Sequence, residues 1–263
     1  MDNYRNVENK FRRYKAHISI AGTTQIHIRN PYFIAWWSAA FPGFGHLLLS
    51  KYLRGLSLFM WEVIVNCNAK INLAMVYSFC GNIEEAKKVL DPRWMLMYIP
   101  VYLFGIWDSY RTSVDMNKVY LLAERENAPF NSFSIGAMEI NYLDKRMPAM
   151  SVIWSLFMPG LGQLHIHRLL TAFFTLAWTI IFVYFSKILL SVHYLFLGQI
   201  AMSTAVLDKQ WLLFMPSIWG FAVYDSYVNT VENNKLFDSE QKDFLIKHYQ
   251  SPSFQVKKGK VVV

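Results

Sequence analysis

Two aspartates carry the strongest chemical signal in the chain. Asp108 stands in Trp-Asp-Ser-Tyr and Asp225 in Tyr-Asp-Ser-Tyr, each within an otherwise apolar stretch. A carboxylate withdrawn from water is costly unless it is paired or hydrogen-bonded, so such residues mark either a structural ion pair or a route for a proton or ion. Both acids fall one apolar segment past a tryptophan, Trp94 or Trp211, which places them toward a membrane interface, where burial costs less and a structural pair is the simpler reading. Histidines are the next candidates. His165 and His167 stand at i and i+2 and so do not share a helical face, and no carboxylate completes a metal motif around them or around His46. Pro42-Gly43-Phe44-Gly45 and Pro159-Gly160-Leu161-Gly162 lack the lysine and strand context of a phosphate loop and read as helix breaks with close packing. No nucleophile, metal or cofactor constellation emerges, and none is expected.

The elements that must position these residues come in two copies. A shift of 117 residues, the spacing from Pro31 to Pro148, lays Trp37, Ser38, Pro42, Gly43 and Gly45 on Trp154, Ser155, Pro159, Gly160 and Gly162. The same shift lays Asp91, Trp94, Asp108, Ser109, Tyr110 and Asn117 on Asp208, Trp211, Asp225, Ser226, Tyr227 and Asn234. A gapless register of this kind means a duplicated unit. The expected organisation is a basic segment (1–29), repeat A (30–120), a polar linker (121–146), repeat B (147–237) and a basic tail (238–263). Glu62 has no acidic counterpart, Thr179 taking its place, so a path for ions that used both copies equally is disfavoured.

Composition gives the setting. The chain is 54% hydrophobic and 17% charged, against about 25% charged in soluble domains. Leu169 to Ser186 holds no charged residue, and at about 1.5 Å per residue a run of that kind approaches the roughly 30 Å of hydrocarbon in a bilayer. The first thirty residues are polar and basic, without the apolar core of a cleavable signal. A net charge of +8 sits at the termini and beside apolar segments, a pattern that fits anionic headgroups and topology control and not nucleic acid. Cys67 and Cys80 lie after the second embedded piece and read as reduced structural cysteines unless their loop faces an oxidising side.

Each unit holds three apolar pieces: a broken one (Tyr32 to Ser50; Ala149 to His167), the strongest span (Leu53 to about Ile71; Leu169 to about Ile188) and one starting at Trp94 or Trp211 that continues into a polar helix. The amino-terminal segment, the linker and the tail carry more Lys and Arg than the loops between the second and third pieces. That bias favours a re-entrant first piece and two full spans per unit, with both termini cytoplasmic; a kinked first piece that crosses fully, giving three spans per unit, is the rival. The expected fold is therefore all-α: a polytopic helical membrane protein of two parallel tandem repeats.

Pro42-Gly43-Phe44-Gly45 followed by Lys51-Tyr52-Leu53-Arg54-Gly55, with Pro159-Gly160-Leu161-Gly162-Gln163 and a later Asp225, resembles the two-transmembrane-helix domain family of small membrane proteins. The resemblance covers most of each unit and implies an integral membrane protein. Repeat B departs from it with Thr171-Ala172 in place of Arg54-Gly55, and Gln163 stands where repeat A has His46.

The expected function is that of a non-enzymatic membrane scaffold or interaction protein. Its partners are the lipid bilayer and either a membrane protein or another copy of the chain, with no nucleic acid. A small-solute or ion transporter or channel subunit is the alternative, and an intramembrane enzyme using His165, His167 or Asp225 is the third reading. The register also pairs charges: Lys51 and Arg168 are equivalent, as are Asp108 and Asp225, so Lys51 is expected near Asp108 and Arg168 near Asp225. His46 and Gln163 are the further hydrogen-bond candidates.

Overall fold

The computed structural model describes residues 11–251; the outer parts of the expected basic segment and basic tail lie outside them. The chain is predominantly helical. After the hairpin of β1 (Ala16–Ser19) and β2 (Gly22–Gln25) come α1 (Pro31–Ala40), α2 (Phe44–Leu48), α3 (Tyr52–Ala69), α4 (Ile71–Phe79), α5 (Ile83–Val89) and α6 (Pro92–Glu126). The order then recurs: β3 (Phe133–Ile135), β4 (Ile140–Tyr142), α7 (Pro148–Phe157), α8 (Leu161–His165), α9 (Leu169–Ser186), α10 (Ile188–Phe196) and α11 (Ile200–Val206), followed by α12 (Lys209–Leu212) and α13 (Phe214–Tyr249), which together take the place of α6.

Local chemistry fixes these boundaries twice over. Asn30 accepts a hydrogen bond from the Tyr32 amide and Pro31 opens α1; Asp91 accepts from the Arg93 amide ahead of α6, and Asp208 from the Gln210 amide ahead of α12. Gly43 and Gly160 adopt φ of 100° and 105°, a region closed to most L-residues, so α1 and α7 stop and the chain re-enters a short helix. Lys70 and Lys187 are both left-handed between α3 and α4 and between α9 and α10. The repeats differ near the start of the last helix. Pro216 cannot donate to the carbonyl of Leu212, and the helix is interrupted there, between α12 and α13.

The stretches read as a basic segment and a linker contain the two hairpins. They share one register, Ser19 facing Gly22 across the two-residue turn of the first and Ile135 facing Ile140 in the second. Only Ile18 and Ile135 are identical across the paired strands, so this part of the duplication lies below what side-chain identity reveals. The long helices extend as well: α13 has 36 residues, or about 54 Å, and carries on into the region assigned to the tail.

Among the described residues, α9 is the helix long and apolar enough to cross a membrane, with mean hydropathy 1.9 and only 33% of its length buried within the chain. Packing between the repeats is largely aromatic. Trp37 of α1 meets Tyr224 of α13, Phe44 of α2 stacks on Phe221 of α13 with ring centroids 4.1 Å apart, and Phe59 of α3 meets Phe174 and Trp178 of α9.

Candidate functional site

Each repeat builds one polar centre around its aspartate. The Asp-Ser dipeptide of the long helix makes two contacts with the broken helix. Its serine packs on the second glycine of Pro-Gly-x-Gly: a Cβ added at Gly45 would stand 3.2 Å from the Ser109 Cβ and 2.6 Å from the Ile34 carbonyl oxygen. At Gly162 the corresponding Cβ would stand 3.0 Å from the Ser226 Cβ and meet the Ser151 carbonyl. Any side chain there would push the short helix away. The first glycines are restricted too, since a Cβ on Gly43 would lie 2.9 Å from the Phe59 amide nitrogen and one on Gly160 2.8 Å from the Ala172 carbonyl oxygen. Pro42 and Pro159 precede them in the breaks.

The aspartate then meets the polar residue that follows the second glycine. In repeat A the Asp108 Oδ2 lies 2.9 Å from the His46 Nε2 and accepts from the Arg54 Nη1 at 2.7 Å. In repeat B the Arg168 Nη1 donates to Asp225 Oδ1 at 2.5 Å, the Gln163 Nε2 to Oδ2 at 3.2 Å and the Asn229 Nδ2 to Oδ1 at 2.8 Å. Lys51 is not the cation on Asp108, contrary to the repeat register. It stays exposed at the N-cap of α3, while Arg54, three residues on and so on the same side of the first turn, reaches the carboxylate. The charge has thus moved by one turn between copies, with Thr171 at the position equivalent to Arg54.

The two centres are closed to different degrees. Arg168 and Asp225 have side chains 3% and 0% exposed, Arg54 and Asp108 52% and 13%. The difference comes from what lies over them. Arg168 also donates from Nη2 to the Tyr52 hydroxyl of repeat A at 3.0 Å. The turn of the first hairpin covers the start of α9: the Leu169 amide donates to the Ala21 carbonyl, and the His167 ring lies 3.0 Å from the Ile20 carbonyl oxygen. His167 therefore anchors the hairpin, and among the described residues no group of three or more His, Cys, Asp and Glu side chains could hold a metal ion.

Beneath this cover lies a cluster of cations. Burial, reinforced by Arg29, Arg168 and Lys235, pushes the His27 imidazole down to about 3, and burial together with Arg168 lowers Arg29 to about 10. No protein family, curated protein or solved structure matches the chain.

Some residues had no expected role. Asn117 accepts from the Arg29 amide and donates to the Arg29 carbonyl, and Asn234 does the same to Arg146. The two clamps tie the segment ahead of α1 or α7 to the long helix, and their signal was the Asn117/Asn234 identity. A second buried network joins the repeats at the far end of α3: Gln210 donates to the Asn66 side-chain oxygen at 2.8 Å, Asn72 donates to the Gln210 carbonyl, and Asn66 donates to Glu62. Of these residues the sequence singles out only Glu62, because single amides in an apolar run give no sign of a partner more than a hundred residues away.

Proposed function

We propose that the chain is a non-enzymatic scaffold embedded in a membrane, and that its two polar centres brace the helices of each repeat, the Arg168 centre also reaching Tyr52 of repeat A, instead of handling a substrate. The observation that carries this reading is the Arg168–Asp225 centre. Its carboxylate is satisfied by Arg168, Gln163 and Asn229, its guanidinium by Asp225 and Tyr52, and both charged side chains are closed to solvent. A carboxylate bound in this way has little capacity left to take and release an ion.

The membrane setting is supported by α9, whose apolar surface remains mostly uncovered by the chain itself, where the core helix of a soluble domain would be enclosed. In the proposed topology α3, α9 and the apolar first halves of α6 and α13 cross the bilayer. The first broken helix, α1 with α2, and its counterpart α7 with α8 enter from the cytoplasm and return. α1 has ten residues, about 15 Å, half of a roughly 30 Å core. The hairpins and both termini then lie on the cytoplasmic side, with α4–α5 and α10–α11 opposite.

Affinity isolation from native membranes with lipids retained tests the reading. A protein recovered in fixed proportion with the chain is expected, whether a different protein or further copies; a lone monomer from those membranes contradicts it. Buried Glu62 in α3 supports transport as the second reading. Flux in proteoliposomes that is abolished by Glu62→Gln, Asp108→Asn or Asp225→Asn would replace the scaffold with a carrier.

A further inference from the structure

The interface between the repeats is not reciprocal. Repeat A presents Phe33 and Trp37 of α1 and Phe44 of α2 to Tyr224 and Phe221 of α13. A two-fold arrangement would require Met150, Trp154 and Leu161 to meet Trp107 and Phe104 in the same way, yet Met150, Trp154, Trp107 and Phe104 are all exposed. The contact is therefore heterologous, one face of a unit against a different face of the next, and it leaves one unmatched face at each end of the chain. Those faces are the repeat-equivalents of surfaces that already bind each other inside the molecule; Met150, Trp154 and Leu161 on one and Phe104 and Trp107 on the other keep their centres apolar, while Ser57 and Arg93 stand where repeat B has Phe174 and Gln210.

The hairpins follow the same logic. The first lays its turn over the start of α9 and closes the Arg168–Asp225 centre. The second has the same register, but its turn residue Met138 is 91% exposed and Ile135, Ile140 and Tyr142 are also uncovered. The site it would cover by repeat equivalence, the start of α3 over Arg54 and Asp108, is the open centre. Glu139 in that turn replaces Gly22, and the turn would face Lys51 and Arg54, so charge is complementary where the sequences depart. A Cβ at Gly22 would lie 2.9 Å from the His167 carbonyl oxygen, so the second hairpin must sit slightly higher than the first.

We propose that the chain assembles head to tail with copies of itself. Repeat B of one molecule docks on repeat A of the next as repeat A docks on repeat B within a molecule, and the second hairpin completes the Arg54–Asp108 centre of its neighbour. A heterologous contact of this kind generates a ring when its rotation closes and a filament when it does not. The proposal deepens the scaffold reading by naming its partner, and it rests on that reading for the membrane setting alone.

Full-length chains with Cys67→Ser and Cys80→Ser test it by cross-linking in native membranes with a short bis-maleimide. One chain carries Met150→Cys, a second, differently tagged, carries Trp107→Cys, and the two are co-expressed; Phe33→Cys with Tyr224→Cys in one chain reports the internal contact. A linked species holding both tags is expected, with each single variant alone remaining unlinked and a chain carrying both substitutions giving a ladder or one closed ring. An unlinked mixture beside a linked internal control, which would leave lipid or another protein on these faces, overturns the proposal, as does linkage between like variants only. The native mass of the otherwise unsubstituted chain in mild detergent is the second measurement: multiples of the chain mass support assembly and a single-chain mass overturns it. A chain that sits in the membrane but does not link removes the assembly and leaves the membrane reading standing, whereas a chain washed off by alkaline carbonate removes that reading instead.

Discussion

The Arg168 guanidinium lies 2.5 Å from the Asp225 carboxylate with neither side chain open to solvent, whereas Arg54 reaches Asp108 with half of its side chain exposed. Removing one partner of a buried pair leaves an uncompensated charge, a loss of about 3–5 kcal/mol, while an exposed pair contributes about 0–1 kcal/mol. Arg168→Gln is therefore expected to lower stability in detergent several times more than Arg54→Gln. Denaturation of the two variants side by side checks this, and equal losses contradict it.

Gly45 and Gly162 are closed in by Ser109 and Ser226, and nothing lies within 4 Å of a Cβ added at Gly81 or Gly198. Overpacking costs about 1–3 kcal/mol and a left-handed alanine about 1–2 kcal/mol. Gly45→Ala and Gly162→Ala should disturb the contact between the broken helix and the long helix, while Gly81→Ala and Gly198→Ala act only through local backbone strain. Disulfide trapping between the broken and long helices separates the two effects, because only the first pair should alter its rate.

What the sequence could reveal depended on how local each cause was. The breaks at Gly43 and Gly160 follow from Pro-Gly-x-Gly itself, and the Arg168–Asp225 pairing follows from two charges in one repeat register. The shift of the cation in repeat A from Lys51 to Arg54 was not legible, because both residues belong to the same basic turn and only packing decides which one faces the acid. The hairpins were hidden for another reason. Their duplication is in backbone register, β1 with β2 and β3 with β4, and short paired strands keep that register with few shared side chains. The unequal closure of the two centres lies further out of reach, since it depends on how one repeat sits on the other.

The buried His27 makes the folded protein sensitive to acid. The unfolded imidazole takes up its proton below about 6.5, while in the folded protein burial, reinforced by Arg29, Arg168 and Lys235, holds it off until about 3. Through that window the unfolded state binds more protons, so stability falls as pH drops from about 6.5 toward 3, and the effect vanishes above it. Melting of the wild type and of His27→Gln from pH 7 to pH 4 should show a shallower decline in the variant. Parallel curves would contradict this.

Asn117 and Asn234 each hold both backbone groups of an arginine, Arg29 and Arg146. Replacing either with alanine removes two hydrogen bonds worth about 0.5–1.5 kcal/mol each. Faster amide exchange is expected at Arg29 in Asn117→Ala and at Arg146 in Asn234→Ala, each confined to its own repeat; unchanged exchange at both would show that the clamps do not hold these segments.

In the proposed topology the duplicated fold sits in a membrane with its hairpins on one side and its short helix pairs on the other. Single cysteines at Met138, Lys242, Glu85 and Met202, all exposed, are placed in a Cys67→Ser, Cys80→Ser chain and treated with an impermeant thiol reagent on intact cells. Glu85→Cys and Met202→Cys should be labelled at once, and Met138→Cys and Lys242→Cys only after permeabilisation. Labelling of all four from the same side would contradict it.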